Sequence, residues 1–278
     1  MTIDLHIHTT ASDGDMTPQQ LLNLALKRRL RVIAVTDHDN THGSREVQRL
    51  AHDQLTVIPA IELGAEDHGL IDILGYFIRP AALADQTPFQ HWLSELRQDR
   101  QQRARRMVQR LAEIGIPISF ERVQELANGA PITRPHIARA LVEAGHAESI
   151  KDAFNRYIDE HAPAYVPRKR LAPEDAIAKL HQVGACAVLA HPARVKNYPA
   201  LIERLVLHGL DGVEVVHPDN SADVRLNLRG LAKQYNLVMT GGSDFHRPDR
   251  DGKITLGLFN PPDGAVEALR ARAQRYNV

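Results

Sequence analysis

The sequence predicts an α/β protein, a closed β/α barrel of seven strands interrupted by an all-helical insertion. Three observations carry this. Seven short apolar runs recur along 278 residues, most of them separated by amphipathic helical stretches. The polar residues with the most chemistry fall at the ends of those runs. Residues 88–168 break the alternation and keep helical spacing alone. Short, fully apolar strands indicate a parallel sheet covered on both faces. Seven such units in about 200 residues fit a closed barrel better than an open doubly wound sheet.

Taken in order, Ile3 to His8 reads as the first strand. Thr17-Pro18 supplies an N-cap followed by proline at the first helical position, opening a helix through Leu21, Leu22, Leu24, Ala25 and Leu26. Val32 to Val35 is the second strand and ends in Thr36-Asp37-His38; Val57 to Leu63 is the third and Ile71 to Phe77 the fourth. Trp92, Leu96, Met107, Leu111 and Ile114 then follow helical spacing, and further helices are expected over 120–128, 134–144 and 149–159. Arginines 97, 100, 103, 105, 106 and 110 are expected to form a solvated helix face laced with salt bridges. The strands resume at Ala187–Ala190, Gly212–Val216 and Leu237–Thr240. The expected division is therefore a barrel made of 1–87 and 169–278, with a helical domain of 88–168 inserted between them.

The composition narrows the function. Thirty-four basic residues balance 34 acidic ones, so no global field draws the chain to long DNA or to a membrane surface. The single cysteine, Cys186, excludes an internal disulfide, and within Ala-Cys-Ala-Val-Leu-Ala it reads as a core residue and not a reactive thiol. Asp4, His6 and His8 interrupt the only candidate for a leader, and no run approaches the roughly 18 apolar residues of a membrane span. A cytoplasmic protein is expected.

His6 and His8 alternate on the first strand, so their imidazoles leave one face about 7 Å apart. Asp13, His38, Glu62, His191, Asp244 and His246 each follow another apolar run. One His or Asp after a strand is usually a cap or loop residue. Capping gives no reason for His-x-His, Thr-Asp-His, Ala-His-Pro and Gly-Ser-Asp-Phe-His all to end strands, so together they point to a multinuclear metal site. Nitrogen and oxygen ligands without thiolate favour manganese, magnesium, iron or zinc, and mixed His and carboxylate sets leave positions open for water and substrate. Glu62, which ends a central strand, is the candidate bridge. Two ions about 3.5–4 Å apart would hold a bridging hydroxide and clamp a phosphoryl group in flight. Asp37 and Asp39 are expected in supporting or turn roles, and His217, after Val215-Val216, fits both a site and a structural reading. Histidines 42, 52, 68, 91, 146, 161, 181 and 208 are expected outside the site.

These residues resemble the polymerase-and-histidinol-phosphatase (PHP) family of metal-dependent phosphoesterases. Asp4-Leu5-His6-Ile7-His8 with Ser12-Asp13-Gly14 matches the opening motif, Thr36-Asp37-His38-Asp39 the second, Glu62 the bridging glutamate, His191-Pro192 the third motif, and Gly242-Ser243-Asp244-Phe245-His246 the last. The resemblance implies a distorted seven-stranded barrel and, in many members, three ions. His6, His8, Glu62 and Asp244 would hold one; Asp13, His38 and His246 a second; Glu62 and His191 a third, with a histidine that this chain replaces by Asp72. Aspartate ligates manganese or magnesium but is shorter than histidine. Two or three divalent ions are therefore expected, manganese first, and His191 acts on the substrate where it is not a ligand.

Thr133-Arg134-Pro135-His136 and Ala164-Tyr165-Val166-Pro167 resemble the branch that includes 3',5'-nucleoside bisphosphate phosphatases and 5'-3' exoribonucleases. Arg134, Pro135 and His136, with Ser12 and the basic Arg168-Lys169-Arg170, are the expected substrate contacts. The leading expectation is hydrolysis of a 3',5'-nucleoside bisphosphate to nucleoside 5'-monophosphate and phosphate, with Arg134 stabilising charge and His191 or His136 protonating the leaving oxygen. The alternatives are 5'-3' trimming of short 5'-phosphorylated RNA, hydrolysis of histidinol phosphate, and a non-catalytic module that stabilises a polymerase-like partner.

Overall fold

The strands form along short, mainly apolar runs and are largely buried on both faces. The computed structural model describes residues 2–67, 69–130, 132–167, 171–249 and 251–277. It opens with β1 (Ile3–Ile7), α1 (Pro18–Lys27), β2 (Val32–Val35), α2 (His42–Ala51), β3 (Thr56–Glu66) and β4 (Leu70–Tyr76). At α1 the capping box forms as the sequence demands: Thr17 Oγ1 accepts from Gln20 N–H, while the Gln20 side chain accepts from Thr17 N–H at 2.9 Å.

After the helical segment come α8 (Pro173–Gln182), β5 (Cys186–Leu189), α9 (Tyr198–Val206), β6 (Gly212–Val216), α10 (Ala222–Gln234), β7 (Val238–Gly241) and α11 (Ala265–Ala273). The seven strands make one sheet in chain order. Closure runs through His8, whose N–H donates to the Phe245 carbonyl just beyond β7 at 2.9 Å. Leu5, Ala34, Ile58, Ala60, Leu74, Tyr76, Cys186 and Val188 pack together inside the barrel, with Val266 and Leu269 of α11. Among the described residues no helix is long and apolar enough to cross a membrane.

The expectation of a parallel sheet throughout is corrected at β4, which runs antiparallel to both β3 and β5. Residues 67–69 alone separate β3 from β4. A parallel return needs a crossover of a dozen residues or more, so the chain folds back as a hairpin.

The helices between the two halves of the barrel are α3 (Pro80–Leu83), α4 (Pro88–Glu113), α5 (Phe120–Ala127), α6 (Arg134–Glu143) and α7 (Ile150–Ala153), the last continuing as a π-helical turn over Phe154–Ile158. Helix α4 belongs to two cores. Phe89 and Leu93 pack with the barrel, whereas Met107 and Leu111 join Val123, Ile137, Leu141 and Ile158 in a separate cluster. The reading of α4's arginines as one solvated face is corrected at two positions: Arg100 and Arg103 are buried. Arg100 Nε pairs with Asp39 Oδ2, and Arg103 Nε donates to the Val166 carbonyl at 2.5 Å. Both sit where α4 crosses onto neighbouring backbone, and a guanidinium is buried only where acceptors meet it.

Candidate metal centre

All eight side chains singled out as ligands meet at the barrel mouth. The hub is Glu62 on β3. Its Oε1 lies 3.4 Å from His6 Nε2 and 3.2 Å from His191 Nε2; its Oε2 lies 3.2 Å from His8 Nε2 and 3.1 Å from His38 Nδ1. Asp244 Oδ1 stands 3.4 Å from His6, 3.3 Å from His8 and 3.5 Å from His246. Asp13 faces His246 at 3.3 Å, His8 at 3.6 Å and His38 at 3.8 Å.

The local backbone explains this convergence. Asp4 accepts from the N–H groups of His6, Ser243 and Gly257, so β1 is tied to the loop that carries Asp244. Gly242 touches β1 so closely that a Cβ there would lie 2.5 Å from His6 N, and one on Gly14 would lie 2.5 Å from the His8 carbonyl oxygen. Both motif glycines are needed for close approach. His191 and Asp244 both adopt positive φ, 28° and 50°. Backbone held in this unfavoured region is a common mark of functional sites.

The buried atoms test whether cations fit. His6 Nε2, His8 Nε2, Asp13 Oδ1, His38 Nδ1 and Glu62 Oε2 have no hydrogen-bond partner among the described residues. Buried polar atoms left unpaired cost of the order of 1–3 kcal/mol each, and a divalent ion would satisfy several at once. Ligand atoms of His8, Asp13, His38 and His246 all lie within 4.8 Å of one another, as do those of His6, His8 and Asp244, of His6, Glu62 and His191, and of His38, Glu62 and Asp72. The donor set and its unsatisfied atoms fit several divalent ions.

The electrostatics agree. Burial opposes ionisation of Asp13, Glu62 and Asp244, yet the imidazoles around them hold all three well below the usual carboxylate range. Burial also disfavours charge on His6 and His8, but the carboxylates raise both, His8 to about 10.

Two residues prove more central than the sequence reading made them. Asp72 reaches the cluster despite its short side chain, with Oδ2 at 3.7 Å from His191 Nε2. It does so because β4 pairs antiparallel with β3 and brings residue 72 beside Gly64, two residues beyond Glu62. His217 is fully buried, its Nε2 at 3.4 Å from Asp244 Oδ2.

Glu214 was missed altogether. Its Oε1 is 3.0 Å from His6 Nδ1 and its Oε2 accepts from His191 N–H at 2.8 Å, so it orients two imidazole-bearing residues. The signal was present, since a carboxylate inside Gly-Val-Glu-Val-Val has no ordinary place in a buried strand. Arg194, which pairs with Asp244 at 3.0 Å and Asp219 at 2.7 Å, gave no such signal.

The cluster forms the floor of a 1070 Å³ cavity roofed by the helical segment. Arg134 and Pro135 line it, as do Arg194, Lys196 and Arg247. Two expected substrate contacts are corrected. Ser12 is buried and donates to Asp37 Oδ1 at 2.6 Å, so it braces the loop after β1. His136 is buried in the capping box of α6, its Nδ1 accepting from Thr133 N–H at 3.0 Å. Burial pushes its pKa down to about 4, so at neutral pH the ring is uncharged and is not an imidazolium acid. Lys169 and Arg170, with Arg168, lie outside the described residues.

Comparison with known proteins follows the same line. Residues 4–165 match the PHP domain model. The chain is 39% identical over 257 residues to the 5'-3' exoribonuclease Rnm of Escherichia coli, covering 88% of this chain and 85% of that protein. It is 33% identical over 258 residues to the 3',5'-nucleoside bisphosphate phosphatase of Chromobacterium violaceum, covering 90% and 89%. A Bifidobacterium adolescentis structure assigned as a metal-dependent phosphoesterase superposes with a TM-score of 0.86 at 30% identity, covering 97% of this chain and 96% of that one.

Proposed function

We propose, for a chain that belongs to the PHP domain family and is a metal-dependent phosphoesterase, that its substrate is a 3',5'-nucleoside bisphosphate, cleaved to nucleoside 5'-monophosphate and phosphate. The carrying observation is the ligand cluster on the floor of a cavity whose walls hold Arg134, Arg194, Lys196 and Arg247. A second phosphate needs cations apart from the metal centre, and those side chains supply them.

His6, His8, Glu62 and Asp244 would hold one ion, and Asp13, His38 and His246 a second; His191, 3.2 Å from Glu62 and 3.7 Å from Asp72, would hold a third with them. Divalent ions, manganese foremost, would contribute Lewis-acid activation of water and charge neutralisation on the phosphoryl oxygens. The chain's own groups do the rest. Glu214 keeps His6 oriented through its Nδ1. Arg194, anchored by Asp219, places a fixed positive charge beside Asp244, where a phosphoryl group would sit. Arg134, held by Asp159 at 3.2 Å, clamps the remaining phosphate, so that its binding energy orients the scissile ester. His191 lines the cavity and would protonate the leaving oxygen where it is not a ligand.

The test compares kcat/KM for adenosine 3',5'-bisphosphate and AMP in manganese-loaded enzyme. The bisphosphate is expected to be better by at least tenfold, the effect of about 1.4 kcal/mol from one added charged contact. Equal values refute the two-phosphate reading. A second reading is favoured by the E. coli relative: trimming of short 5'-phosphorylated RNA from its 5' end. Release of mononucleotides from a 5'-phosphorylated trinucleotide, faster than phosphate release from the bisphosphate, would establish it instead.

A further inference from the structure

Beyond Arg134, the insertion's share of the cavity wall offers a phosphate little. Among the described residues its other arginine there, Arg100, is already paired with Asp39, while Glu160 adds a negative charge. What remains is apolar. Ile150 is 36% exposed at the start of α7, and Phe154 and Tyr165 are each half-buried. All three line the cavity that has the ligand cluster at its floor. Phe154 begins the π-helical turn, a departure from α geometry that concentrates at functional sites.

Arg134 organises the two rings. Its guanidinium carbon lies 5.1 Å from the Phe154 centroid and 5.9 Å from that of Tyr165, so one cation steadies both. A partly open aromatic pair with an aliphatic neighbour, on the wall of a cavity, suits a flat ligand with a π-face. On the nucleotide reading above, on which this rests, we infer that Ile150, Phe154 and Tyr165 form the seat of the substrate's nucleobase. The insertion then selects for a base-bearing phosphate ester over a bare sugar phosphate. Stacking accepts any base, because every base has a π-face. Purines bury more area and bind better than pyrimidines.

Calorimetric titration of the holoenzyme with AMP and with ribose 5-phosphate isolates the base from the phosphate. The wild type is expected to bind AMP about tenfold or more tightly, the usual reach of one base stacked on an aromatic side chain. Phe154→Ala should remove most of that gap and leave ribose 5-phosphate affinity unchanged. Because Phe154 also packs against the insertion's core, Ile150→Ala serves as a second variant at an exposed position, and it should narrow the gap in the same way. Equal wild-type affinity for the two ligands, or variants that weaken both alike, would overturn the inference. Preferential AMP binding without any bisphosphate hydrolysis would uphold the base seat and defeat the proposed reaction instead.

Discussion

Replacing Arg100 with methionine tests how the insertion is joined to the metal centre. Arg100 descends from α4 to Asp39, the residue that follows His38, and both partners are buried, at 6% and 3% exposure. Asp39 N–H donates to the Glu62 carbonyl at 2.9 Å, its Oδ1 accepts from Gly64 N–H at 3.2 Å, and its carbonyl accepts from Arg97 at 3.0 Å. The pair thus fixes the loop after β2 that presents His38 against the part of β3 that carries Glu62. Breaking a buried ion pair by removing one partner costs about 3–5 kcal/mol. The Gly64 donor stays in place, so the lower end, about 3 kcal/mol, is expected for Arg100→Met. For a chain of this size that is a fall in melting temperature of roughly 6–12 °C. Asp39→Asn should cost a similar amount, and the double variant should lose much less than the sum. A double-mutant cycle by urea denaturation, run on chelated protein so that metal affinity does not enter, reads the coupling directly. At least about 2 kcal/mol is expected. Coupling below about 0.5 kcal/mol, the level of a solvated surface pair, would show that the contact is not a structural tie.

Three further outcomes follow from the site. Asp244→Asn removes a carboxylate that faces His6, His8, His246, His217 and Arg194. Turnover should fall beyond the 100-fold or so that losing a supporting partner costs, with a melting temperature within a few degrees of wild type, and retained activity would exclude Asp244 as a ligand. Manganese at about 100 times its dissociation constant should stabilise the chelated protein by about 2.7 kcal/mol, roughly 5–10 °C, and a chelator should reverse it. An unchanged melting curve would contradict the unsatisfied buried atoms of the cluster. For His136, burial places the folded pKa near 4 against about 6.5 in the unfolded chain. The unfolded state therefore takes up the proton first, so this contribution is complete above pH 6.5 and is lost as the pH falls towards 4, with a ceiling of about 3 kcal/mol. Unfolding free energies measured between pH 7 and 5 should fall less steeply in His136→Gln than in wild type, and parallel curves would place His136 in water.

Local sequence was enough to give the strand and helix pattern and to single out the side chains that gather in the candidate ligand cluster. Strands announce themselves as apolar runs such as Val32–Val35, and ligands as polar residues where such runs stop, because both signals are local. Tertiary structure alone decided which distant groups share a space. The hairpin that reverses β4 brings Asp72 to His191, although aspartate is shorter than the histidine it replaces. Glu214, His217 and Arg194 join the centre from β6 and its neighbours, and no spacing rule connects them to residue 6 or residue 244. Conversely, Ser12 and His136 carry suitable chemistry but are turned inward to brace a loop and cap a helix. Side-chain type is written residue by residue, whereas the direction a side chain faces is set by how segments pack, whether near in the chain, as for His136 and Thr133, or far apart, as for His6 and Glu214.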